Sequence, residues 1–459
     1  MFELTQTAEL SHWDGSPADK AWGAFLADVR RRVATHIAPV VQTPALAAPT
    51  VEETLKPGQS GSAPSLAVLP FTNRSGLPED EVFAEGMVED VISALTQGVN
   101  VRVLGSTATA NLNRAAITDL AALGRQLGVR YLLEGNVRRA GANLRVTTQL
   151  LEAETGTAIW TAKFDRPLAE LAELQEELVT DIAASLDTQV YTLEMERALR
   201  KPDDITAWEA LARGMSAYRQ NDPAAFQRGI EEARRAVAIS PDYAPAHAML
   251  ASSLADVYIG MPDDPAEVQR IHASAERALA LAPEDAFVLS HVGEAYCFSG
   301  SPEDGVLYTE RAVRKAPGSG FSHLIHGIAC GMLNRPGEAL SHLGLAERLM
   351  PGSHLMWIVK DWQSVAYRET GRWAEADSAI DDCINLLPKS ASHYLTKAVL
   401  CLKLDRSDGA LGHARTARGL GWDLTQAERT WRRLAPRSPS LEADIAAMRE
   451  LYAATEEAP

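Results

Sequence analysis

Cysteine is scarce in this chain. Cys297, Cys330, Cys383 and Cys401 are the only four in 459 residues, and none forms a CxxC pair. That spacing encodes neither a disulfide scaffold nor a compact zinc or redox motif, so four buried free thiols are expected. Basic charge is also in deficit: 44 Lys and Arg stand against 61 Asp and Glu, a net charge of −17. Such a balance opposes binding to nucleic acid or to an anionic membrane, both of which need clustered Lys and Arg. No stretch approaches the roughly 18 apolar residues that would cross a bilayer. The opening MFELTQTAELSHWDG has no basic region followed by an apolar run. A cytoplasmic location is the expectation.

Catalytic signatures are missing as well. The chain has no Walker-type phosphate loop, no Gly-x-Ser-x-Gly elbow and no His-Glu-x-x-His helix. No catalytic, cofactor-binding or metal-ligating residue is therefore assigned. Pro317-Gly318-Ser319-Gly320 resembles a phosphate cradle but falls where a turn is required. His323 and His326 sit three apart without a third ligand nearby in sequence. Glu79, Asp80, Glu81, Glu85, Glu89 and Asp90 flank an apolar helical stripe and read as a solvated face. Arg130, Arg138, Arg139 and Arg145 cluster around one hairpin and read as charges guarding sheet edges.

What is present is globular protein with a hydrophobic fraction of 46%, long enough for several domains. Residues 38–64 are rich in Pro, Ala, Ser and Gly and read as a flexible linker. From Leu66 the pattern alternates. Leu66–Phe71 reads as a buried strand. Phe83, Met87, Val88, Val91, Ile92 and Leu95 recur at helical spacing. Val101–Leu104 reads as a second strand. A helix capped by Thr118 then carries Leu120, Leu123 and Leu127 and ends at Gly128. Val129–Arg139, Leu144–Ala153 and Ala158–Phe164 follow as three antiparallel strands joined by hairpin sequences. Within the first of these, Gly135 implies a bulge or a close backbone approach. A long helix closes the segment. The order is β-α-β-α-β-β-β, an α/β sandwich with its helices over one face, across residues 65–200.

Beyond that point the grammar becomes repetitive. Pro317 and Pro351 mark a regular period, and aligning on them superposes Gly293 with Gly327 and Ala312 with Ala346. Looser copies open with Trp208, Leu211, Gly214 and Tyr218 and close on Pro241, or close on Pro283 with an insertion near Gly260–Pro265. Later copies carry Tyr367, Gly371, Ala376, Ile380 and Pro388, then Ala398, Cys401, Ala410, Ala414 and Ala417. The proline period, small residues at the helix crossing and a proline after the second helix resemble tetratricopeptide repeats. Six units are expected over 205–422, with capping helices over 423–459.

The resemblance implies an all-α solenoid with a concave groove that binds a protein or peptide partner. By register, Tyr218, Arg219, Glu294, Arg368 and Lys403 are the candidate groove residues. LAVLPFTNRSG, FAEGMVEDVISAL, LGVRYLLEGNVRR and TGTAIWTAKFDR, in that order, resemble the TolB-like amino-terminal domain related to the FlgO family. That resemblance implies a signalling context without a chemistry. Residues 1–37, with Ser11, Trp13, Asp14 and Gly15 and the apolar face Trp22, Phe25, Leu26 and Val29, resemble the last strand and helix of a bacterial TIR domain. The resemblance implies that the NAD-cleaving residues would lie upstream, so this polypeptide is not expected to cleave NAD.

The expectation is thus a non-enzymatic signalling scaffold without a cofactor, binding neither nucleic acid nor membrane, with self-association left open. The alternative is the regulatory portion of a TIR-type NAD-cleaving or adenylate-cyclase-type effector. A third reading, transcriptional control, requires a leading DNA-binding domain for which residues 1–37 are too short.

Overall fold

The computed structural model describes residues 64–96, 102–109, 112, 119–167, 171–200, 205–217 and 223–456. The expectations for the TIR-like piece, for linker residues 38–63, for the Thr118 cap and for Tyr218 and Arg219 fall outside the described residues.

The amino-terminal region is a small mixed sheet. Strand β1 (Ser65–Val68) lies between β3 (Arg102–Val103) and β4 (Tyr131–Ala140), parallel to both. Strands β4, β5 (Asn143–Glu152) and β6 (Ala158–Pro167) form an antiparallel meander. Its turns carry Gly141 and Gly156, both with positive φ, as hairpin geometry demands. A two-residue strand β2 (Thr72–Asn73), where the sequence pattern predicts only a turn, adds to β4 in parallel. The Asn73 side chain accepts from Ser75 N at 2.8 Å, so this short strand runs straight into an Asx turn.

Helices cover both faces of the sheet, not one. On one face α1 (Pro78–Thr96) and α3 (Leu171–Arg200) pack over Leu66, Val68, Leu133, Val146 and Leu150. On the other, α2 (Leu120–Leu127) covers Ala67, Leu69, Leu132, Leu151 and Ala153. The reason is visible in β1 and the residue after it: Leu66, Ala67, Val68 and Leu69 are all buried. A strand that is apolar on alternate and intervening residues alike needs cover on both sides. Asp119 caps α2 by accepting from Ala122 N at 2.8 Å, and Gly128 ends it at φ 63°. Gly135 is a close approach rather than a bulge: a Cβ there would lie 2.8 Å from the Phe71 ring. The irregularity in the meander is at Leu150/Leu151.

From residue 205 the chain is a helical solenoid. Helix pairs follow one another: α4 (Ala207–Ala217) with α5 (Pro223–Ile239), α6 (Ala244–Tyr258) with α7 (Pro265–Leu281), and α8 (Ala286–Phe298) with α9 (Pro302–Lys315). Next come α10 (Gly320–Met332) with α11 (Pro336–Leu349), α12 (Met356–Glu369) with α13 (Trp373–Leu386), and α14 (Ala391–Lys403) with α15 (Ser407–Gly419). Pro241, Pro283, Pro317, Pro351 and Pro388 each stand just past the end of a second helix and forbid its continuation. Within the third pair the crossing is closest at Gly293 and Gly305. A Cβ on either would come within 2.4 Å of the opposing helix, at Thr309 or Cys297. Two further helices, α16 (Leu424–Leu434) and α17 (Leu441–Glu456), follow the last pair.

The sheet and the solenoid share one buried joint. Glu194 on α3 is 2% exposed and accepts from Tyr131 Oη at 2.6 Å, from Trp208 Nε1 at 3.4 Å and from the Arg130 guanidinium. One carboxylate thereby links β4, the long helix and the first repeat.

Candidate functional site

The first helices of the pairs face inward and enclose a chamber of about 250 Å³. Helix α6 supplies Met249, α8 supplies Phe287 and Phe298, α10 supplies Phe321, Ile325 and Ile328, and α12 supplies Trp357, Ile358 and Trp362. Repeat geometry puts these side chains there. Phe287 and Phe321 are one repeat apart, as are His291 and Ile325, and Glu294 and Ile328, so each pair occupies one register position.

Two parts of the chain outside these helices also contribute to the lining. Tyr191 of α3 lines the chamber and stacks on His354, with ring centroids 6.0 Å apart. Leu434 of α16 lines it as well. Helix α16 is anchored by Arg433, which lies 4.0 Å over the Tyr258 ring, donates to the Tyr258 carbonyl and pairs with Asp263 at 2.6 Å. The insertion near Gly260–Pro265 therefore has a structural use: it receives the last helices. Asp444 of α17, 2% exposed, binds Arg368 of α12, Lys403 of α14 at 3.2 Å and Ser440 Oγ at 2.9 Å.

Polar groups sit inside this apolar lining. His291 Nδ1 is 3.0 Å from Ser252 Oγ and 3.3 Å from Glu294 Oε2. Burial pushes the Glu294 carboxyl up to about 8 and the His291 imidazole down to about 3. At neutral pH both are uncharged, so their contact is a hydrogen bond between neutral groups, not an ion pair. Asp361, also on the chamber wall, has its carboxyl raised by burial against the opposing pull of His393 and Arg368.

Of the sequence-selected groove residues, Glu294 lines the chamber, whereas Arg368 and Lys403 meet at Asp444. Sequence reasoning does not single out His291, Asp361, Phe321, Trp357 or Ile358. Phe321 and Ile325 are within its reach, one repeat on from Phe287 and His291. Asp361 is not, because its neighbours come from later helices.

Parts of the other charged clusters are paired inside the chain, Asp80 among them at 2% exposure. Arg139 binds Asp80 through Nε at 2.9 Å and reaches Glu79 at 3.2 Å. Arg145 forms a two-point pair with Asp165 at 2.6 and 2.8 Å. Strands β4 and β5 are interior strands, so these arginines tie neighbouring elements together and do not guard edges. His323 and His326 do find a third imidazole, His342, supplied by α11. His323 Nδ1 lies 2.9 Å from His342 Nδ1, His323 Nε2 binds the Pro317 carbonyl at 3.0 Å, and His326 Nδ1 is 2.9 Å from Thr309 Oγ1. Burial holds His326 down at about 4, with repulsion from the neighbouring imidazoles adding to the effect. The three rings form a satisfied, uncharged interior network.

Known proteins share parts of this layout. A family model described as the second domain of HilA/YgeH-like transcriptional regulators matches residues 62–183. "Putative adenylate cyclase 3" of Rhizobium meliloti (strain 1021) is 34% identical over 196 residues, 42% of this chain and 33% of that protein. The match thus spans about a third of that relative's length. Among solved structures, MamA matches with 17% identity over 35% of this chain and 96% of its own, at a TM-score of 0.30. A thermophilic TPR protein of Thermus thermophilus matches with 18% identity over 43% of this chain and 100% of its own, at 0.35. YrrB, described as a TPR protein with an unusual peptide-binding site, matches with 19% identity over 42% and 95%, at 0.30. The chain is a helical solenoid resembling such repeat proteins, preceded by a small mixed-sheet domain. No helix among the described residues is long and apolar enough to cross a membrane.

Proposed function

We propose that this chain is a non-enzymatic signalling scaffold whose solenoid holds an apolar segment of a protein partner in the concave chamber. The observation that carries the reading is the chamber itself: an aromatic and aliphatic lining around neutral hydrogen-bonding groups, chiefly Glu294 and His291. Such a site rewards apolar anchors and one or two polar contacts, and it penalises charged groups. Its size suits the anchoring side chains of a peptide rather than a complete helix. Glu294 is assigned to direct recognition. Arg368 and Lys403 act by holding α17, and Tyr218 and Arg219 are kept as groove residues on repeat register alone.

In this reading the sheet domain is TolB-like and serves as a second docking or self-association module, and residues 1–37 derive from a TIR domain. The protein works in the cytoplasm without nucleic acid or membrane as a partner. The test is affinity capture from a lysate of the native host with the full chain. Phe321→Ala or Ile358→Ala should remove the bound protein, while Leu307→Ala, on an exposed position, should retain it. Equal capture by all three variants would refute chamber recognition.

The second reading, the regulatory portion of a TIR-type NAD-cleaving or adenylate-cyclase-type effector, is favoured by the 196-residue similarity to the Rhizobium protein. Cyclase or NAD-hydrolysing turnover by the purified chain, above a heat-inactivated control, would overturn the non-enzymatic assignment.

A further inference from the structure

We propose that Asp361, Cys383 and His393 form a zinc-binding site. The three come from consecutive helices α12, α13 and α14, and one ligand atom from each lies within 4.8 Å of the others. A tetrahedral zinc ion with bonds of about 2.0–2.3 Å sets its ligand atoms roughly 3.3–3.8 Å apart, so small side-chain rotations close the site.

One of the three donors lacks a hydrogen-bond partner altogether. His393 is 1% exposed, and its Nδ1 has no hydrogen-bond partner among the described residues. A buried ring nitrogen left without a partner is costly, and a metal would satisfy it. Cys383 is fully buried, and its thiol donates to the Trp357 carbonyl at 3.4 Å, a bond that coordination would replace. The His323–His326–His342 cluster differs in this respect, because the imidazole nitrogens that would bind a metal there are largely committed to internal partners.

Charge and donor type point to the same ion. Thiolate, imidazole and carboxylate suit zinc, whereas calcium and magnesium prefer oxygen alone. One thiolate and one carboxylate neutralise its two positive charges, so the filled site carries no net charge in an apolar wall. Binding forms Zn–S, Zn–N and Zn–O bonds and releases the Cys383 proton, together with the Asp361 proton where that carboxyl is protonated, to solvent. Asp361 also lines the chamber, which leaves the fourth position to water on that side. A zinc ion here would staple the fifth and sixth repeats together, a role independent of what the chamber binds.

The experiment uses the full chain, stripped with chelator under reducing conditions and titrated with cobalt(II) as a spectroscopic stand-in. One equivalent should produce tetrahedral d–d bands with a thiolate-to-cobalt charge-transfer band, and one equivalent of zinc should bleach both. Cys383→Ser should abolish the charge-transfer band, and His393→Asn should weaken cobalt binding at least about tenfold. Cys401→Ser, a buried cysteine outside the site, should leave the spectrum unchanged. The wild-type titration alone keeps the proposal open to failure if a variant does not fold. Absence of stoichiometric binding by folded wild-type protein would overturn it. So would a spectrum that survives Cys383→Ser but is lost in His342→Gln.

Discussion

The sheet domain and the chamber wall of the solenoid differ in how their polar groups are satisfied. In the sheet domain each prominent charge finds a counter-charge from a neighbouring element: Arg139 with Asp80, Arg145 with Asp165, Arg130 with Glu194. The solenoid pairs Asp444 with Arg368 and Asp377 with Lys397 in the same way, but along its chamber and beside it several buried groups lack such a partner. His291 and Glu294 remain neutral beside an open chamber, and His393 keeps a bare ring nitrogen. Interior polar groups kept without counter-charges are destabilising, and sites of recognition are where such a cost is tolerated.

The joint at Glu194 is the place where this comparison breaks most visibly. Glu194→Ala leaves Tyr131 and Trp208 without their acceptor and Arg130 without its carboxylate. We expect a loss of about 3 kcal/mol, the low end for a broken buried pair because Arg130 is 29% exposed. Chemical denaturation would read this loss, and an unchanged midpoint would show that the two regions are not coupled through it.

Asp444→Ala should act more locally. It frees Arg368 and Lys403 and releases α17, at a cost of about 3 kcal/mol. Amide exchange should quicken in α16 and α17 while the sheet keeps its protection; uniform change along the chain would contradict a local clamp. Gly135→Ala forces a methyl against the Phe71 ring and should cost about 1–2 kcal/mol within the sheet domain alone.

The chamber wall itself is tested by a pH slope. With its carboxyl raised from 4.5 to about 8 in the folded state, Glu294 stabilises the fold fully at low pH. That contribution declines as pH rises from about 4.5, where the unfolded chain ionises, and is gone once pH passes about 8, where the folded protein must bury a carboxylate. Wild-type melting temperature should therefore fall across this window, and Glu294→Gln should flatten the fall. A slope that persists in the variant would assign it to another group.

How much of this is legible in the sequence depends on whether the signal is local. The helical stripe from Phe83 to Leu95, the hairpin glycines and the regular proline spacing can all be read directly, because each is fixed by a few adjacent residues. The second helical layer is implicit in the unbroken apolar run Leu66–Leu69, which predicts a buried strand but does not name what covers its other face. Three features leave no local trace. His342 comes to His323 from the second helix of its pair, Asp361 meets His393 across the helix that carries Cys383, and Arg433 reaches Asp263 from the far end of the solenoid. Only the stacking of helix pairs brings them together. The arginines of β4 and β5 elude sequence reasoning for the same reason, since nothing in the run itself says which strands are interior.

The most direct test of the binding chamber places a photoreactive benzophenone side chain at Phe321, inside the chamber, and separately at Leu307, which is 57% exposed. On irradiation in the native host, the Phe321 position should cross-link one discrete protein partner that the Leu307 position does not. Cross-links of equal yield and identity at both positions, or only at Leu307, would contradict recognition by the concave face.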